Sequence, residues 1–253
     1  MVKNQRLEKT LRRLRERTPL VHNITNYVVM NNTANALLAV GASPVMAHAM
    51  EEVQEITTIA SSVVINMGTL SPKWVDAMER AMKVARELGK PVVFDPVGAG
   101  ASSYRTDTAV KLIDRYRPSV VRGNASEIRV LASRNGRTKG VDSTLGSESA
   151  VNAAHELSKE LNNTVVVSGA TDYIVTGGQV DQVTSGSPLM AKVTGMGCTA
   201  TSIIGSCIAV ESNYHQASLS GMEIMGQAGS IAEKKSDGPG SFQMHFIDAL
   251  HQI

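Results

Sequence analysis

The sequence predicts an α/β layered fold with a central, mostly parallel sheet flanked by helices. Two observations carry this prediction. Short β-branched runs recur at Ser62 to Asn66, Pro91 to Asp95, Ser119 to Arg122 and Thr164 to Ser168, and longer stretches of helical pattern separate them. The runs are apolar without alternation, as strands buried on both faces of a parallel sheet must be.

Each further element follows from local chemistry. The Arg-rich start (Arg6, Arg12, Arg13, Arg15, Arg17) carries Leu7, Leu11 and Leu14 at helical spacing, which makes an amphipathic surface helix. Ser71 as N-cap, Pro72 at the first position and Gly89 past the last turn bound another helix. Asn124 followed three residues on by Glu127 is a capping-box pattern that opens a third. From Asp172 to Ser185, Gly177-Gly178 separates two alternating runs and predicts a β-hairpin. After Thr194 the chain turns helical: Cys198 to Val210, His215 to Glu233, and Phe242 to His251 after a flexible Asp237-Gly238-Pro239-Gly240 break. With no repeat and no linker, residues 1–253 read as one domain.

Lys plus Arg number 25 against 23 Asp plus Glu, a balance that argues against nucleic acid or a membrane surface as partner. The charged N-terminus lacks a secretory signal, and no apolar run approaches the roughly 20 residues needed to cross a bilayer. The expectation is a cytoplasmic protein. Cys198 and Cys207, nine positions apart on one helix, point to opposite faces roughly 13 Å apart along the axis, too far for a disulfide.

Ligands of open α/β sheets bind beyond the carboxyl ends of the strands. There this chain is polar and glycine-rich: Asn66-Met67-Gly68, Asp95 to Gly100, Arg122-Gly123-Asn124, Ser168-Gly169 and Gly195-Met196-Gly197-Cys198. The last turn opens a helix, where free amides and the dipole suit an anion such as a transferring phosphoryl group; it could equally serve only to fit a helix to the sheet. Cys198 at that helix start is expected to have a lowered pKa and to accept a proton from an attacking hydroxyl. The alternatives are a small buried hydrophobe, the reading for Cys207, or a covalent nucleophile paired with a histidine. Glu127 is a helix cap, an orienter of water on Mg²⁺, or both. Asp95 is a turn former or a ligand-facing carboxylate, and Arg122 a surface cation or a phosphate clamp.

The strings PLVHNITNYVVMN, GASPVMAHA, INMGTLS, DPVGAGAS, GNASE and VTGMGC, in this order and spread over essentially the whole chain, resemble the hydroxyethylthiazole kinase family of the ribokinase-like superfamily. The resemblance implies transfer of the ATP γ-phosphate to the hydroxyl of 4-methyl-5-(2-hydroxyethyl)thiazole, with Mg²⁺ required. Asn124 and Glu127 match the superfamily's NxxE motif, which sets Asn124 beside the nucleotide and Glu127, with Asp95, at the metal. Arg122 and Ser168 match nucleotide contacts, Met46 and Gly195 thiazole contacts, and Asn26 and Gly68 are further substrate-site candidates. Gly195, Gly197 and Cys198 form the catalytic turn; the wider superfamily has Asp where Cys198 stands, and the family more often has Thr at Ser168. Family members are similar in forming homotrimers with sites between subunits, so the resemblance also implies that assembly.

Overall fold

The computed structural model describes residues 5–134 and 147–253. In chain order the elements are α1 (Gln5–Arg17), β1 (Leu20–Ile24), α2 (Met30–Val40), β2 (Ser43–Val45), α3 (Val53–Ile59), β3 (Ser62–Asn66), α4 (Pro72–Glu87) and β4 (Val92–Asp95). Then come α5 (Ser103–Tyr116), β5 (Val120–Asn124), α6 (Ala125–Ser133), α7 (Ser147–Leu161), β6 (Thr164–Ser168), β7 (Asp172–Thr176) and β8 (Gln179–Val183). A short 3-10 turn (Pro188–Lys192) leads to α8 (Met196–Ile208), α9 (Tyr214–Glu233) and α10 (Pro239–Gln252).

These strands join one sheet in the order β2-β1-β3-β4-β5-β6-β7-β8. Pairing is parallel from β2 to β6 and antiparallel for the β7–β8 hairpin at the edge. This is the expected α/β architecture. Successive strand residues face opposite sides of a sheet, so Val64 packs with Leu37, Ile203 and Phe246 of α2, α8 and α10 in one layer. Its neighbours Val63 and Ile65 pack with Met78, Leu112 and Leu157 of α4, α5 and α7 in the other.

The helix ends obey their chemistry. Ser71 Oγ accepts from the Trp74 amide and Pro72 occupies the first turn of α4. In α1, Leu7, Leu11 and Leu14 are buried, while Arg13 leaves the helix to pair with Glu211 at 2.7 Å. Two helix starts differ from expectation by two or more residues. Helix α10 starts at Pro239, inside the stretch read as a flexible break, because a proline with its fixed φ and missing N–H is suited to the first helical position. Helix α8 starts two residues early, because Gly195 is its cap. Among the described residues, no helix is long and apolar enough to cross a membrane.

Candidate active site

Register brings the polar strand ends together. Asn66 of β3 lies opposite Asp95 of β4, and Asn124 of β5 opposite Ser168 of β6. Asp95 is 1% exposed. Its Oδ2 accepts from Asn66 Nδ2 at 2.9 Å and Thr201 Oγ1 at 2.6 Å, with Arg122 Nη1 at 3.7 Å, while buried Oδ1 has no hydrogen-bond partner among the described residues. Burial pushes its pKa up to about 6, against the pull of Arg122 and Thr201 and with a further push from Glu127.

Above this carboxylate α8 begins. Gly195 sits at φ +85°, and a methyl group there would lie 2.5 Å from Val29 Cγ1, so both conformation and space demand glycine. The first helical bond runs from Thr199 N to Gly195 O at 2.8 Å. Helix geometry therefore leaves the amides of Met196, Gly197 and Cys198 directed out of the helix end, where the dipole adds positive potential. Arg122 lies beside them with its Nη2 donating to Ser168 Oγ at 2.6 Å and its side chain only 11% exposed. It is a held cation facing the site rather than a surface one. A cavity of about 710 Å³ opens here, lined by Arg122, Ser168, Asp172, the Gly195 turn, Met222 and Met225 among others. That volume suits a small-molecule ligand.

Glu127 caps its own helix and also reaches the loop after β4. Its Oε2 accepts from Asn124 N at 2.8 Å, closing the capping box of α6, and its Oε1 accepts from Gly98 N at 2.8 Å. Asn124 Oδ1 accepts from Ser126 N and Glu127 N, each at 3.0 Å.

The thiol corrects an expectation. Cys198 Sγ accepts from Asn26 Nδ2 at 3.4 Å, and its pKa is raised, not lowered. Burial is the main cause and the nearby Asp95 charge the second; together they outweigh the hydrogen bonds from Asn66 and Asn26 and the charge of Arg122. Its hydrogen-bonding neighbours are Asn26 and Asn66, with no histidine among them. Cys207 is the expected buried hydrophobe, its pKa pushed up to about 12.

Asn26 Nδ2 also donates to Asn66 Oδ1 at 2.8 Å, and Gly68 N donates to the same oxygen at 2.9 Å. Thus Asn26, Gly68, Cys198 and Asp95 share one polar network. Asn26, Gly68 and Met46 do not line the cavity beside Arg122. Met46 follows β2 with a half-buried side chain, apart from this network.

Sequence reasoning missed Thr201 and Asp172. Thr201 was findable, since it lies four residues after Gly197 on the same helix face, whose carbonyl it bonds at 3.2 Å. Asp172 accepts from Gly169 N at 3.0 Å, and burial raises its pKa.

Comparison with known proteins settles the lineage. The hydroxyethylthiazole kinase family matches this chain over residues 11–253. The chain belongs to this family. It is similar to the hydroxyethylthiazole kinase of Leptospira biflexa, 55% identical over 240 residues that cover 95% of this chain and 90% of that protein. Its fold is similar to that of the hydroxyethylthiazole kinase protein of Pyrococcus horikoshii, with a TM-score of 0.91 and 43% identity, covering 98% of this chain and 93% of that one. A ribokinase-like superfamily protein of Enterococcus faecalis shares the fold at a TM-score of 0.64 and 14% identity, covering 92% and 86%. The layered sheet of this hydroxyethylthiazole kinase family member is thus the ribokinase-like architecture.

Proposed function

We propose that this kinase transfers the γ-phosphate of ATP to the hydroxyl of 5-(2-hydroxyethyl)-4-methylthiazole. The observation that carries the reading is the placing of the α8 turn and Arg122 at one cavity, with the buried Asp95 carboxylate 3.7 Å from Arg122, in a chain of the family named for that alcohol. Loose phosphoryl-transfer transition states are stabilised mainly by positioning and by charge aimed at the equatorial oxygens. The amides of Met196 to Cys198 supply fixed dipoles there, and Arg122, steadied by Ser168, supplies a cation. Asn26 and Gly68 are suited to meet the thiazole on the Cys198 side.

Asp95 and Glu127 fit a magnesium ion. Hard cations take one or two carboxylates and keep several waters beside the substrate phosphates, and Asp95 Oδ1 is a buried acceptor still without a partner among the described residues. When bound with the nucleotide, Mg²⁺ supplies charge neutralisation of the phosphates. The test of the whole reading is mass detection of the phosphorylated alcohol and of ADP, with and without Mg²⁺; ADP-free reaction mixtures with both substrates and metal present would overturn it.

The thiol acts as a neutral wall of the acceptor site. Cys198→Ser is expected to keep kcat within about 10-fold of the parent, whereas removal of a true general base costs about 10²–10⁴-fold. A kcat loss beyond about 10²-fold in steady-state kinetics would restore the base role.

Three subunits, with Met46 completing a neighbour's thiazole site, explain its separation from the cavity beside Arg122. Exposed apolar side chains at Tyr27 (65%), Val28 (60%) and Met50 (49%) flank Asn26 and the Met46 loop and support a covered surface there. Light scattering is expected to return three chain masses, and Val28→Asp to lower that mass while raising the KM for the thiazole.

A further inference from the structure

Arg105 lies in the first turn of α5, where the helix dipole disfavours a cation, and among the described residues no ion pair gives it a carboxylate partner. Its guanidinium is instead spent on backbone. Nη1 donates to Met67 O and to Val97 O, and Nη2 to Gly68 O, all three at 2.7 Å. These carbonyls come from two separate loops, one after β3 and one after β4.

Both loops reach the reaction centre. The Val97 carbonyl belongs to the same peptide unit as the Gly98 N–H, and that N–H donates to Glu127 Oε1 at 2.8 Å. One peptide is therefore held at its two ends by Arg105 and by Glu127. On the other side, Gly68 packs against Asn26 so closely that a methyl group there would lie 2.4 Å from Asn26 Nδ2, the atom that donates to Cys198. A planar fork with several donors can hold such carbonyls at fixed spacing; a lysine ammonium on a flexible stem cannot.

We infer that Arg105 is a positioning residue that fixes the separation between the acceptor side of the site, at Gly68 and Asn26, and the Asp95–Glu127 side. The inference rests on the kinase reading above. It acts through the loops and touches neither substrate. Because a misplacement of about 1 Å costs on the order of 10²-fold in rate, Arg105→Ala and Arg105→Lys are expected to lower kcat by about 30- to 100-fold with the KM for ATP within about 3-fold. Loosened spacing also admits water as acceptor, so ADP formed should exceed phosphorylated alcohol formed in both variants.

A binding measurement separates this from loss of fold. Trp74 is the chain's single tryptophan, and its Nε1 donates to Thr25 O at 2.9 Å, next to Asn26. Its fluorescence, titrated with the thiazole without nucleotide or metal, is expected to show weaker binding by about 10-fold in Arg105→Ala, with partial recovery of binding and of kcat in added guanidinium at millimolar concentration. Unchanged kcat, ADP-to-ester ratio and thiazole binding per folded molecule would overturn the inference, as would losses that guanidinium leaves untouched and that follow the folded fraction by circular dichroism. If the parent protein itself makes no ester, the kinase reading fails instead; if the parent transfers and the variants match it, only the role of Arg105 fails.

Discussion

Replacing Asp95 with asparagine is expected to lower kcat/KM by at least about 10²-fold while making the fold more stable at neutral pH. The loss follows from removing the buried carboxylate proposed to hold Mg²⁺, whose Oδ1 has no hydrogen-bond partner among the described residues. The gain follows from its pKa. Burial, only partly offset by Arg122 and Thr201, raises that pKa from 3.8 to about 6. Between these values the folded chain holds a proton that the unfolded chain has released, so stability falls as pH rises through the window and stays lowered above it. At about 1.36 kcal/mol per unit, carrying the charge at pH 7 costs up to about 3 kcal/mol. The replacing amide keeps the shape without the charge. Thermal unfolding of the two proteins from pH 4 to 8 should show Asp95→Asn ahead by several degrees above pH 6 and level near pH 4; a variant less stable at every pH would refute the argument.

Arg122→Ala should reduce kcat/KM by about 10²–10³-fold, the usual consequence of deleting one preorganised charge from a transition-state cradle. Beyond the lost cation, the Asp95 carboxylate would lose the positive charge 3.7 Å from its Oδ2 and its pKa would climb further. The acidic limb of the pH–rate profile is therefore expected to move to higher pH. Arg122→Lys should recover part of the rate, since the charge returns without the fork that holds Ser168. An unshifted acidic limb in Arg122→Ala would separate the two residues.

Much of this was legible because it is local. Runs such as SVVIN and TVVVS announce buried parallel strands, and Asn124 with Glu127 announces a capped helix, which the hydrogen bonds reproduce. Strand β1 escaped because LVHNI places His22 and Asn23 in the core. Most of their polar partners are distant in sequence: His22 bonds Thr57 and the Ala47 carbonyl, and Asn23 accepts from Ser202, with the Val21 carbonyl its local partner. No window of neighbouring residues contains that information. The same holds for the site. The glycine turn is visible in sequence, but the contacts of Asp95 with Asn66 and Thr201 depend on strand register and on where α8 crosses the sheet. The thiol pKa was misread for a related reason: a helix end is a sequence feature, whereas burial and a carboxylate from another strand are not.

The β7–β8 hairpin gives the molecule a handle. Because β7 runs back from Asp172 at the cavity, Gly177 and Gly178 at the tip stand at the far end of the sheet from the cavity beside Arg122. Gly177 is tied down by Ser158 and His155 of α7, while a side chain at Gly178 would meet nothing within 4 Å. A fluorophore, affinity tag or surface tether grafted at Gly178 thus leaves the chemistry facing outward, so the enzyme can be labelled or immobilised in one orientation with its substrates' route left clear.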